Sequence, residues 1–348
     1  MQQINTGIIG YGMSARVFHA PFIHANPKFK ISKIVERHNQ VSKEDYPYVD
    51  VVTSTDDLLY DESIQLIVIT TPNKSHYPLA KKALLAGKHV IIEKPFTISS
   101  KEADDLISIS DETNLILSVY HNRRWDGDFL TVKNILNQGY LGKVVEYESH
   151  FDRFRNYFKR DAWRENNVSG SGILYDLGPH LIDHALQLFG NPNEITADIR
   201  IQREGGQTDD QFEVKLHYDK LKATLKAGML VREPSPRFLL YGTQGTFIKY
   251  GLDPQEADSK SGMIPIHPRW GVDNQSNWGT LNTNINGLHF RGNIETLRGC
   301  YQKFYENIFE AITNKEDLAV KPEEARDVIK IIELAFQSSR EKKTVPFQ

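Results

Sequence analysis

Three short stretches hold side chains whose types and spacing could do chemistry. In HVIIEKPF, residues 89 to 96, an apolar run that reads as a strand ends on Glu93-Lys94-Pro95. The proline confines the lysine to extended backbone, so its amine would project from the strand's carboxyl end into a binding crevice. The plainer reading is that Pro95 only stops the strand. In ILYDLGPHLIDHALQLFG, Asp176 and His180 stand four apart, followed by an apolar period at Leu181, Ala185 and Leu188. On a helix the two share one face, a turn apart. A histidine of near-neutral pKa can take a hydroxyl proton, and a carboxylate can orient or charge-stabilise it. The same spacing also makes ordinary helix pairs. His184 continues the face, but no other acid or histidine is assigned to complete a coordination set, so no metal is expected.

The third stretch, GIIGYGMSA, sets Gly10, Gly12 and Ala15 in a G-x-G-x-x-A pattern after an apolar run, with Tyr11, Met13 and Ser14 between them. Glycines there allow a tight turn and bring backbone N–H groups close to a pyrophosphate, whose charge a following helix N-terminus favours. Pro21 would break a helix starting at Ser14, so a turn over residues 13 to 19 and a helix from about Pro21 are expected. Glu36 stands where the fingerprint places an acid, at the end of the second strand; it would accept both adenosine ribose hydroxyls and favour NAD, whereas Arg37 or His38 could pair with the 2′-phosphate of NADP. TTPNKSH follows a later strand, so Thr71, Pro72, Asn73 and His76 would either line the cofactor or form a Pro-Asn turn that starts a helix.

The elements that must position these groups fall into two patterns. Up to about residue 122, NTGIIG, KISKIVE, IQLIVITT, HVIIEK and LILSVYH alternate with helical segments. YPLAKKALLAG has Leu79, Ala83 and Ala86 at helical spacing and Gly87 as its stop, and SSKEADDLISISDET opens on serines and acids. Strands separated by helices imply a doubly wound parallel sheet. Beyond that point KVVEYESHFDRF, EITADIRIQRE, DQFEVKLHYD, LKATLKAGML, RFLLYGTQG and TFIKYG follow one another as strands of a large, mostly antiparallel open sheet in an α+β domain. Residues from about 252 to 292, rich in Gly, Asn, Pro and Trp, read as a surface excursion, and PEEARDVIKIIELAFQSSREKK as an amphipathic helix. The expected domains are 1–122 and 123–348, with the helix at about 322–340 free to pack back on the first.

With 42 Lys and Arg against 45 Asp and Glu, the net charge of −3 supplies no basic field for nucleic acid or an anionic membrane. The one cysteine, Cys300, excludes an intrachain disulfide and fits a reducing compartment, and no apolar run reaches membrane-spanning length. A cytoplasmic protein is expected. Arg123, Arg124 and Trp125 in YHNRRWDGD, with Tyr120 and Asn122 beside them, and Trp163 and Arg164 in DAWREN could bind a hydroxylated ring or brace a domain interface.

Taken jointly, GYGMSA, EKPF, HNRRWDGDFL and YDLGPH make the chain resemble the Gfo/Idh/MocA family of nicotinamide-dependent oxidoreductases along its whole length; SVYHNRRWDGDFLTVK and KYGLDPQE are most similar to its scyllo-inositol 2-dehydrogenase branch. The resemblance implies an N-terminal Rossmann domain, a C-terminal α/β domain carrying substrate and subunit contacts, NAD or NADP, and a homodimer or homotetramer. It implies Lys94, Asp176 and His180 as a catalytic triad acting on a secondary alcohol or ketone of an inositol or sugar-like ring. It also turns Asn73, His76 and Glu93 toward the cofactor, and Tyr120, Asn122, Arg123, Trp163 and Arg164 toward the substrate. Two other activities of such folds compete: a non-catalytic nucleotide-binding sensor, which has no need of a relay, and NAD-assisted glycosidic cleavage, which makes product without net NADH.

Overall fold

A computed structural model describes residues 3–159 and 163–348. The chain divides into two compact units, and the division does not follow a single cut: residues up to Trp125, Gln255–Trp270 and Cys300–Arg326 form one, and Asp126–Pro254, Gly271–Gly299 and Asp327–Gln348 the other. The first unit therefore takes in stretches that lie far beyond the expected boundary near residue 122.

The first unit begins with strand β1 (Ile4–Ile9), helix α1 (Ala20–Ala25), β2 (Phe29–Val35), the short α2 (Ser42–Asp45), β3 (Asp50–Val52), α3 (Asp56–Leu59) and β4 (Leu66–Ile69). It continues through α4 (His76–Leu85), β5 (His89–Ile92), α5 (Ser100–Thr113) and β6 (Leu117–Val119). All six strands are parallel, in the order β3-β2-β1-β4-β5-β6. Burial on both faces explains the unbroken apolar runs LIVI and VII. The edge strand β3 has only three half-buried or exposed residues, too few to announce itself in sequence. The strand order reverses between β1 and β4, which opens a crevice at the carboxyl ends of these strands.

Local chemistry sets the helices. Ser99 and Glu102 form a reciprocal capping box at the start of α5. Between β1 and α1 the chain makes a wide π turn over Ala15–His19, and Pro21 sits in the first turn of α1, as expected. Pro21 has no N–H to offer the Val17 carbonyl, and the Ser259 hydroxyl donates to it instead, at 2.6 Å. In α4 the buried face is His76, Ala80, Ala83 and Leu84 rather than Leu79, Ala83 and Ala86, because His76 is drawn inward by backbone carbonyls.

The second unit opens with α6 (Gly127–Asn137), β7 (Val144–His150), α7 (Ile173–Phe189), β8 (Glu194–Arg200), β9 (Gln211–His217), β10 (Lys222–Gly228), β11 (Phe238–Gly242) and β12 (Gly245–Lys249). The chain then returns to the first unit for α8 (Gln255–Lys260) before adding β13 (Gly279–Ile285) and β14 (Leu288–Ile294) to the second; α9 (Gln302–Ile312), α10 (Pro322–Glu341) and β15 (Val345–Pro346) follow. The sheet has nine strands, β14-β13-β12-β11-β7-β10-β9-β8-β15, and only β7 with β10 is parallel. Alternation is clear in β9, where Phe212, Val214 and Leu216 are buried. At the far edge the Ser338 and Ser339 hydroxyls of α10 accept the N–H groups of Ala197 and Ile199. Among the described residues no helix is long and apolar enough to cross a membrane.

Residues 252 to 292 correct the sequence reading. They are more than a surface excursion: they contain α8, the fully buried Trp270 and the β13–β14 hairpin. The hairpin turns on Asn286-Gly287, both at positive φ (50° and 83°), which suits a two-residue connection. The Gln255 side-chain oxygen accepts the Trp270 indole N–H (3.1 Å) and the Tyr301 N–H (2.7 Å), and its amide donates to the Trp125 carbonyl. Trp270, Tyr301, Phe304 and Tyr305 thereby join the same core cluster as Phe22 and Phe29. Trp270→Ala should cost about 3–5 kcal/mol in denaturant unfolding of the whole chain; an unmoved midpoint would return this segment to the surface.

Candidate active site

The first unit gathers the expected nucleotide residues at the carboxyl ends of its strands. After β1, Gly10 has φ +92°, and a Cβ there would lie 3.3 Å from both Thr70 Oγ1 and Thr71 Cγ2. A Cβ on Gly12 would meet nothing within 4 Å. The turn is thus tight beneath Gly10 and open above Gly12, the shape a pyrophosphate needs, and these residues fit a dinucleotide. Met13 is exposed, Ala15 is buried, and Tyr11 donates its hydroxyl to Asp45 at 2.7 Å. Burial, with Asp45 beside it, pushes the Tyr11 phenol well above its usual pKa.

A buried polar chain fastens the turn after β5 that carries Lys94. The Ser14 hydroxyl donates to Glu93 Oε1, the Lys94 N–H donates to Glu93 Oε2 at 2.9 Å, and His19 Nε2 lies 3.0 Å from Oε1. His19 Nδ1 in turn meets the Tyr305 hydroxyl at 2.6 Å. Burial opposes ionisation of Glu93, but the hydrogen bond and charge of His19, the charge of Lys94 and the hydrogen bond from Ser14 outweigh it and hold the carboxyl at about 2. With Glu93 ionised, His19 Nε2–H donates to it, while Nδ1 stays in hydrogen-bond contact with the Tyr305 hydroxyl. The glycine turn and the base of Lys94 are therefore joined through one carboxylate. Neither His19 nor Tyr305 was singled out from sequence; FHAPF and the α9 tyrosine carry no local signal of this pairing.

Other expected residues make structural contacts as well. His76 is fully buried, its ring nitrogens 2.8 and 2.9 Å from the carbonyls of Pro95 and Thr71, and burial pushes its imidazole below the ordinary pKa despite them. It ties the loops after β4 and β5 together. Thr71 accepts the Ser75 hydroxyl at 2.8 Å, Pro72 is exposed, and Asn73 is buried. Tyr120 is a core residue, 4.2 Å from the His19 ring and 4.8 Å from Phe304. Asn122 is buried, and Arg123 pairs with Glu256 of its own unit. Burial of Glu256 is outweighed by Arg123 and Lys260, and its carboxyl is held at about 2. Arg124 likewise donates to the Ala319 carbonyl and Glu324. Both arginines thus pair within the first unit and not across a domain interface.

Glu36 spends its carboxylate on its own loop. Oε2 accepts the Val41 N–H at 3.0 Å, and Oε1 accepts the Ser42 N–H at 3.0 Å and the Ser42 hydroxyl. Arg37 and His38 are exposed on the loop so folded.

In the second unit Asp176 and His180 lie one turn apart in α7, as expected. Asp176 stands between Arg153 (3.5 Å) and Arg164 (3.4 Å). Arg164 lies over the Trp163 ring, and Arg153 over Phe151. The buried His180 ring faces Phe151 at 6.4 Å and 29°. Trp163, Arg164, Asp176 and His180 are thus brought together; Asp161 and Ala162 of the same motif lie outside the described residues. His184 is stacked on Phe129 at 4.0 Å, part of the core, and among the described residues no group of His, Cys, Asp and Glu could hold a metal. Sequence reading missed Arg153, three residues past β7, and Asp209. The Asp209 carboxylate accepts the Leu174 N–H at 2.8 Å and so caps α7; burial pushes its pKa up to about 6. Gly172, at φ +89°, is required beside it, since a Cβ would fall 2.0 Å from Asp209 Oδ1.

Comparison with known proteins agrees with this architecture. Residues 4–121 match the family model described as oxidoreductase family, NAD-binding Rossmann fold, and residues 133–347 match oxidoreductase family, C-terminal alpha/beta domain. The chain is 40% identical over 342 residues to scyllo-inositol 2-dehydrogenase (NADP(+)) IolW of Bacillus subtilis, covering 98% of this chain and 95% of that one. A crystal structure from Bacteroides fragilis is 46% identical, with a TM-score of 0.92 and coverage of 99% and 100%. The yvaA structure from Bacillus subtilis is 39% identical, with a TM-score of 0.97 and coverage of 100% and 99%. Both are described no further than as oxidoreductases.

Proposed function

The chain belongs to the Gfo/Idh/MocA family of oxidoreductases, and from that premise we propose that it transfers a hydride between a nicotinamide cofactor and a secondary alcohol or ketone of an inositol or sugar-like polyol. The observation that carries the proposal is the Asp176–His180 turn of α7, set among two arginines and two aromatic rings. Carboxylate and guanidinium groups offer a polyol acceptors and donors, and the histidine can move a proton. His180 takes the proton of the reacting hydroxyl, Lys94 holds and polarises that oxygen, and Asp176 positions the ring. The bound nicotinamide supplies the hydride acceptor at C4; the protein supplies alignment and charge.

The cofactor we propose is NADP. The sequence lean to NAD rested on a Glu36 carboxylate open to the ribose, whereas both its oxygens are already bonded within residues 36–42, and that loop carries Arg37 and His38 exposed. The related IolW is named for NADP(+). Arg37→Glu should raise the KM for NADP by about tenfold, the scale of one lost charge-assisted contact, with a much smaller change for NAD. Equal changes for the two nucleotides would remove Arg37 from the 2′-phosphate.

Reduced-nicotinamide absorbance with purified protein, each nucleotide and a panel of inositols and aldoses tests the function. A signal above the nucleotide blank supports the dehydrogenase; silence across the panel with nucleotide still bound would favour the sensor or the glycosidic reading. We also propose a reducing cytoplasmic location and a homodimer or homotetramer. The outer face of the second sheet exposes Tyr241 (40%) and Tyr250 (50%) beside Leu239 and Ile248, a surface a second copy would cover.

A further inference from the structure

The β8–β9 connection, IQREGGQTDD, is a polar turn to which neither the sequence motifs nor the proposed chemistry gives a task. Its Arg203 is buried, with the side chain 6% exposed. The guanidinium donates to the Tyr157 carbonyl at 2.8 Å, pairs with Glu165 at 3.2 Å and donates through Nε to Asp210 at 2.9 Å. Phe158 lies under it at 4.4 Å. Asp210 is itself fixed, because its oxygens accept the N–H groups of Gln202 and Arg203. One cation of the β8–β9 turn thus collects three residues of the segment that follows β7.

Glu165 closes the short 3-10 turn Trp163–Glu165. The middle residue of that turn is Arg164, whose side chain meets Asp176 and whose carbonyl accepts the Gly172 N–H at the start of α7. We infer that Arg203 is a positioning residue: through Glu165 it holds the turn that presents Arg164 to the Asp176 carboxylate, and so sets the affinity for the polyol. A guanidinium fork can hold the Tyr157 carbonyl and the Asp210 carboxylate by hydrogen bonds at fixed angles while its charge faces Glu165, which a lysine cannot. The inference rests on the proposed binding of the polyol at the Asp176 end of α7.

Removing Arg203 would strand two acids, so the test uses Glu165→Ala, which leaves Arg203 paired with Asp210. The probe is the panel polyol with the strongest signal. Glu165→Ala should raise its KM about tenfold, the scale of a displaced binding group, with kcat changed less than about threefold and the nucleotide KM unaltered. In an Arg164→Ala background the same change should add less than about twofold, because the effect runs through Arg164. Trypsin should cut after Lys159 or Arg164 faster in Glu165→Ala than in the parent. A parental KM, effects of Glu165→Ala and Arg164→Ala that multiply, or unchanged cleavage would each overturn the inference. If Arg164→Ala itself leaves the polyol KM unmoved, Arg164 is no part of the polyol's binding and the inference fails with it; cleavage then reports only whether Glu165, which also accepts the Lys159 N–H at 3.2 Å, holds the turn.

Discussion

Lys94→Ala is expected to lower kcat by at least about a hundredfold, a loss of about 2.7 kcal/mol of transition-state stabilisation, with nucleotide affinity nearly unchanged. The backbone of Lys94 is held by its own N–H on Glu93, and Glu93 is held by Ser14 and His19. None of these bonds uses the lysine side chain, so the alanine variant keeps the anchor and loses the amine. The Lys94 charge does help keep Glu93 ionised, but His19 comes before it among the groups that lower that pKa. Steady-state turnover of the best panel substrate, with nucleotide binding followed by fluorescence, gives both quantities. Parental turnover would take Lys94 out of the reaction; a loss confined to nucleotide binding would make it a cofactor ligand.

The same carboxylate shows what sequence could and could not yield. The glycine turn, the strand ends and the Asp176–His180 spacing are local patterns, and local patterns survive in one dimension. So do the buried parallel strands and the Ser99–Glu102 capping box. The partners of Glu93 and Arg123 do not: His19 is 74 residues away from Glu93, Tyr305 286 from His19, and Glu256 133 from Arg123. An arginine whose acid arrives from so far along the chain reads in sequence as an available cation, and the residues around Arg123 give no sign of its pairing with Glu256. The packing of Tyr120 is hidden in the same way, since its neighbours His19 and Phe304 come from both ends of the first unit. The β13–β14 hairpin is a different failure. Its Asn286-Gly287 turn and the alternation of Leu288, Phe290 and Ile294 with His289, Arg291 and Asn293 are local signals, hidden by the Gly, Asn, Pro and Trp content of the segment around them.

For the histidine, the expected result is a loss of similar size with a different signature. His180→Asn keeps a polar side chain of similar bulk near Phe151 but cannot exchange a proton near neutral pH. We expect kcat to fall about a hundredfold or more, and the pH dependence of kcat/KM to lose the limb that a general base contributes. The polyol KM should change little, because the groups proposed to grip the ring are Asp176 and its arginines. The two variants therefore separate roles that sequence spacing left merged. Asp176→Asn should act mainly on KM by releasing Arg153 and Arg164, whereas His180→Asn should act on kcat and on its pH profile. A His180→Asn enzyme with parental kcat and an intact limb would mean that the proton leaves by another group. The first turn of α7 would then be a binding surface, and the reaction's base would have to be sought elsewhere.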